Sequence, residues 1–174
     1  MAAQDVFLSA ASPGVIALFL DNQYYSSREA YLQAIAEAMQ QEYEAIAQAG
    51  LVLQLDCPDL AMGRHIQFND ASLDEFHRQA RLNVEALNYA ARNIDPDQMR
   101  MHLCWGNYEG PHHKDVPLRD IIDIVLTAPQ RHLARGVQSA PRARVAGVRR
   151  RQAAGWQAAD SGRHRFDQQL HRAR

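Results

Sequence analysis

Three side chains stand where chemistry could be done. His102 and Cys104 are two residues apart at the end of Met99–Cys104, whose pattern predicts a strand. Residues i and i+2 of a strand point to one face, so an imidazole and a thiol would stand there together. That mixed nitrogen and sulfur pair suits zinc. Two donors are half a site, and a packed cysteine beside a hydrogen-bonded histidine is the plain alternative. The third residue is Asp56, which ends the apolar run Leu51–Asp56 just before Cys57 and Pro58. It could contact a substrate or cap the turn at the strand end, and both readings stay open.

The other polar candidates carry less. His65, His112 and His113, with Glu109 and Asp115, fall in loop-like stretches and read as solvated polar groups. Cys57 follows Asp56, so it is expected on the opposite face, as packing. There is no glycine-rich phosphate loop, no Ser-His-Asp arrangement and no Cys-x-x-Cys pair. Two cysteines in 174 residues exclude a disulfide-stapled scaffold and fit a reducing compartment. No apolar run approaches the roughly 20 residues of a membrane span. The first residues also lack a basic start followed by an apolar core. A cytoplasmic protein without a membrane partner is expected.

Elements must hold these residues in place. Val15–Leu20 is a short apolar run that reads as a buried strand. Ser26-Ser27 can cap a helix carrying Ala30, Ile35, Ala38, Met39, Tyr43 and Ile46, which Gly50 would stop. Leu51–Asp56 reads as a second strand. Ser72 heads a second helix, with Leu73, Phe76, Ala80, Val84, Leu87 and Ala91 on one face. Asp95-Pro96 breaks the chain before the Met99–Cys104 strand. A loop rich in Gly, His and Pro then leads to a third helix over Val116–Leu126. Strand and helix alternate three times with apolar strands, which argues for an α/β fold with a parallel sheet. A doubly wound sheet and part of a (β/α)8 TIM barrel both fit. A full barrel takes about 250 residues, so residues 1–128 would supply about half of one.

The charge is split between two unlike segments. Residues 1–128 hold 8 Lys+Arg against 18 Asp+Glu, whereas residues 129–174 hold 11 Arg, no Lys and only Asp160 and Asp167 as acids. The large apolar residues of the second segment follow neither a period of 2 nor one of 3.6 for long. That leaves too little apolar material to offset the entropy of ordering it. The boundary is placed near Ala128, and residues 129–174 are expected to be an irregular, disordered Arg-rich tail.

The strand-end words carry a resemblance. Leu8–Ile16 (LSAASPGVI), Leu53–Ala61 (LQLDCPDLA) and Met101–Cys104 (MHLC) resemble the catalytic barrel of the cobalamin-independent methionine synthase family and its shorter relatives. The likeness is greatest to the methionine synthase II-like, or 5-methyltetrahydropteroyltriglutamate–homocysteine methyltransferase-like, branch, which includes enzymes acting on coenzyme M thiols. It covers nearly all of residues 1–128 and implies a (β/α)8 barrel with zinc-dependent methyl transfer to a thiol. The family's His-x-Cys zinc ligands fall on His102 and Cys104. Its Asp, which contacts the polar group of the thiol substrate, falls on Asp56. The Glu that often follows that Asp in synthases is Cys57 here. The implied partners are a small-molecule thiol acceptor and a methyl donor of the methyl-folate type.

The family's remaining zinc ligands, a Glu on the next strand and a later Cys, find no counterpart, and its first strands would precede Met1. The resemblance therefore implies about three βα units from the middle of a barrel, with an incomplete zinc site and no activity in this chain alone. The Arg-rich tail reads like a GC-rich gene out of frame. Suitable codons for Arg151–Gln157 regroup as V-K-L-P-D-G, and those for Ser161–Phe166 as P-G-V-I-D. Codons for Gln130–Arg142 give a stretch like S-G-I-S-L-E-A-C-N-P-R, whose E overlaps the codon of Arg135. A frameshift near Ala128–Pro129 is expected. The competing reading is an αβ module whose basic tail binds nucleic acid through phosphate contacts, with Trp156 or Phe166 stacking on bases. No recognised nucleic-acid module supports it.

Overall fold

The computed structural model describes residues 6–106 and 111–129, and the backbone of residues 132–135. In chain order the elements are β1 (Phe7–Ala11), α1 (Pro13–Phe19), α2 (Arg28–Gln48), β2 (Val52–Asp56), α3 (Asp59–Ile66) and α4 (Leu73–Ala91). A short 3-10 turn at Pro96–Gln98 leads to β3 (Met99–Leu103), α5 (Leu118–Val125) and β4 (His132–Arg135).

The first apolar run is a helix, not the strand its composition suggests. Ser12 caps it: its Oγ accepts a hydrogen bond from the Val15 amide at 3.0 Å, and Pro13 occupies the first turn with a pre-set φ. A run of six apolar residues cannot separate strand from buried helix by period alone. The strand lies just before it, at Phe7–Ala11. The other caps fall where the sequence puts them. Ser27 accepts from the Ala30 amide, Ser72 accepts from the Glu75 amide, and Gly50 leaves α2 at φ 77°. Helix α2 buries Leu32, Ile35, Ala36, Tyr43 and Ile46, while Ala38 faces out. Of the face expected on α4, only Leu73 is exposed. The eight-residue helix α3 has no counterpart in the sequence reading.

The sheet is parallel and its strand order is the chain order, β1-β2-β3-β4, with no reversal. Its pleat separates two faces. Ala10, Leu53, Leu55, Met99, Met101 and Leu103 are buried beneath the helical layer, where α2 packs on β1, β2 and α4. Ser9, Gln54, Asp56, Arg100 and His102 share the opposite, partly open face. The fold class is thus α/β, as expected. One expectation for the tail is corrected: His132–Arg135 is not irregular but pairs with β3 from Arg100 to Leu103. Backbone pairing supplies what those four side chains do not announce. The rest of the Arg-rich tail lies outside the described residues. No helix among the described residues is long and apolar enough to cross a membrane.

Candidate functional site

Asp56 and His102 end neighbouring strands, and the register makes them direct partners across β2 and β3. The side chains meet: His102 Nδ1 lies 2.5 Å from Asp56 Oδ1. Their side chains are 27% and 41% exposed, so the pair is open to a ligand. The residues beneath belong to the same face. Arg100 Nε donates to Gln54 Oε1 at 2.7 Å, and Gln54 Nε2 donates to Ser9 Oγ at 2.7 Å. The Arg100 guanidinium also sits 3.5 Å from the centre of the Phe7 ring. Arg100 is thereby engaged one layer down, and the structure pairs Asp56 with the imidazole instead.

Cys104 follows Leu103 and is half-buried and unpaired with any other cysteine. Burial pushes its thiol above the usual range, against a backbone hydrogen bond from Gly106 that favours the thiolate. Without a cation the group is therefore a thiol near neutral pH. Imidazole and thiol are both zinc donors. Among the described residues no three His, Cys, Asp or Glu side chains group to hold a metal ion. The imidazole of His102 and the thiol of Cys104 are of donor types that zinc takes. Cys57 is fully buried, and desolvation raises its thiol strongly.

His65 and His112 are not the solvated loop groups that composition suggests, and His65 stands on α3. The Asp115 carboxylate has no exposed surface, and it lies 3.0 Å from His112 Nδ1 and 3.3 Å from His65 Nδ1. The two rings are edge to face, with centres 6.2 Å apart. Burial pushes the His65 imidazole down, opposed by the charge of Asp115. Trp105 Nε1 donates to the Val116 carbonyl at 2.8 Å, fastening the same loop at its base. His113 is exposed and lines a shallow hollow of about 400 Å³ with Arg64, Asn69 and Lys114. Glu109 lies outside the described residues.

A buried polar network escaped the sequence reading. Ser12 Oγ donates to Asp59 Oδ1 at 2.7 Å, and Asn83 Nδ2 donates to Asp59 Oδ2 at 2.9 Å. Arg28 Nη2 in turn donates to Asn83 Oδ1 at 3.1 Å. Burial pushes the Asp59 carboxyl up to about 6, against these hydrogen bonds. The network ties α1, α2, α3 and α4 together behind the strand ends.

Comparison with known proteins gives one consistent direction. A methionine synthase of Saccharolobus solfataricus is 26% identical over 117 residues, covering 66% of this chain and 31% of the relative. Methionine synthases of two Saccharolobus islandicus strains, L.S.2.15 and M.16.4, are 28% identical over 102 residues, covering 58% of this chain and 26% of theirs. The relationship is to methionine synthases, and it is distant. The chain spans less than a third of the length of the curated relatives it matches. No family model and no solved structure matches the chain.

Proposed function

We propose that residues 1–128 are an arc of a (β/α)8 barrel from a zinc-dependent, methionine-synthase-like methyltransferase acting on a thiol such as homocysteine. The observation that carries this reading is the Asp56–His102 pair at the C-terminal ends of adjacent parallel strands. Such ends are where parallel α/β folds place their working groups. The unreversed strand order supports an arc of a barrel over a doubly wound sheet, whose order reverses at a switch point.

His102 and Cys104 would hold the zinc. A free thiol, with a pKa of about 8.5, is mostly protonated at pH 7, and coordination to zinc keeps it ionised. Asp56 gives one carboxylate oxygen to His102. Its second oxygen would hold the polar group of the thiol substrate. The methyl donor is of the methyl-folate type. With two donors of a larger set, the 174-residue chain binds zinc weakly and does not turn over alone.

The Arg-rich residues after Ala128 are read out of frame in this proposal. Residue 135 ends β4 and is the register partner of Leu103, one residue before Cys104. The missing carboxylate ligand, whose codon overlaps that of Arg135 in the shifted frame, would therefore belong to the strand beside His102 and Cys104. Sequencing codons 124–132 and about 600 further bases, a span set by the size of a full barrel, tests this. A one-base insertion or two-base deletion, followed by Glu and later Cys codons in the restored frame, is expected. An intact frame with no family-like continuation refutes it.

A further inference from the structure

We infer that Asp56 is a positioning residue, whose hydrogen bond fixes His102 in one tautomer and turns its Nε2 outward as the nitrogen that receives a ligand. This deepens the reading above, on which it rests for the ligand's identity as zinc. The geometry itself stands apart from that identity.

A carboxylate only accepts hydrogen bonds, so the ring nitrogen facing it must carry the hydrogen. The nitrogen facing Asp56 Oδ1, at 2.5 Å, is Nδ1. In the neutral ring the lone pair then belongs to Nε2. The register brings the two groups together, because Asp56 and His102 are Cα partners on one face of adjacent strands. The next charged group on that face, Arg100, is held by Gln54 and the Phe7 ring. Folding does not need the pair, since partly exposed ion pairs of this kind contribute little stability. Orientation is what it supplies. Histidine metal ligands depend on such outer partners, whose loss typically costs 10–100-fold in metal affinity.

The test is long-range nitrogen-15 correlation of the histidine rings in the metal-free chain at pH 8, with His102 assigned by its loss in His102→Gln. The intact chain is expected to show His102 protonated at Nδ1. Asp56→Ala should move the population toward protonation at Nε2, with the helical circular dichroism unchanged. Should Asp56→Ala fail to fold, Asp56→Asn gives the same reading. Its amide can present N–H to Nδ1 and so drive the hydrogen to Nε2. A His102 protonated at Nε2 in the intact chain, or one indifferent to both variants, overturns the inference. Titration with Co²⁺ forms the second arm, in which Asp56→Ala should weaken binding 10–100-fold while keeping the Cys104 thiolate absorption band. Unchanged affinity in that variant overturns the ligand-positioning role. If the intact chain takes up no Co²⁺ but the tautomer shifts as described, the zinc reading falls and the role of Asp56 in fixing His102 is upheld.

Discussion

A Cβ placed on Gly14 would lie 2.0 Å from Oδ2 of Asp59 and 2.7 Å from Nδ2 of Asn83. The carboxylate cannot swing aside, because Ser12 and Asn83 hold both of its oxygens in the buried network. Alanine in a helix ordinarily gains up to about 1 kcal/mol over glycine. Here the sign should reverse. Gly14→Ala must break a buried, charge-assisted hydrogen bond or overpack the site, and is expected to lose roughly 2–3 kcal/mol. Urea unfolding measures it, and a variant as stable as its parent would show that α1 does not approach α3 this closely.

The same carboxyl makes stability depend on pH. Asp59 is raised from 3.8 to about 6 by burial, so the folded state holds its proton more tightly than the unfolded chain does. Stability then falls as pH rises from about 4 to 6, by up to about 3 kcal/mol at 1.36 kcal/mol per unit. The groups facing it are Ser12 from the start of α1, Arg28 from α2, Asn83 from α4 and the neighbouring Cys57 thiol. Exposed Glu29, Glu44 and Glu75 are shifted down and oppose the trend below pH 5. The readout is therefore the difference in urea midpoint between parent and Asp59→Asn across pH 4–7. The variant loses stability at every pH, since its amide faces the Asn83 donor, but its slope through pH 4–6 should be the flatter one.

How much of this was legible depends on what each residue announces. The strand-end positions of Asp56 and His102 are readable because strand period and residue type suffice to place them, whereas Cys104 lies one residue beyond the end of β3. The hydrogen bond between Asp56 and His102 is not readable, because register is a pairing between residues 46 apart. Val15–Leu20 reads as a strand because its composition suits either state, whereas Ser12-Pro13 starts a helix there. Part of the buried network lies inside two of the words that carry the resemblance, LSAASPGVI and LQLDCPDLA, which contain Ser12, Gly14 and Asp59, while Asn83 and Arg28 lie outside them. Those words looked like site chemistry, and much of their content is packing of α1 on α3. Asp115 reads as a solvated acid in the sequence because one of its partners, His65, stands on α3, 50 residues earlier in the chain.

Asp115 should act as the clasp of the β3–α5 loop. Asp115→Ala removes a carboxylate with no exposed surface from between two imidazoles. Losing one partner of such buried contacts costs roughly 1–3 kcal/mol. The local sign is faster hydrogen exchange at the Trp105 indole, whose N–H is held by the carbonyl of Val116, the residue next to Asp115. Unchanged exchange would mean that the Trp105 bond alone closes the loop.

The two cysteines should part company in solution. Cys57 is 0% exposed, whereas Cys104 is half-buried at the open strand end. Burial raises both thiols, so neither is strongly nucleophilic at neutral pH. A thiol reagent at pH 8 should nevertheless label Cys104 in the folded chain and reach Cys57 only after unfolding. Zinc should slow labelling of Cys104, since a coordinated thiolate is shielded. That protection should vanish in His102→Gln and persist in Cys57→Ser. Dialysis against a mild chelator should also remove it, because two protein donors hold the ion weakly. Stoichiometric zinc surviving that dialysis would show that donors beyond His102 and Cys104 complete the site within this chain.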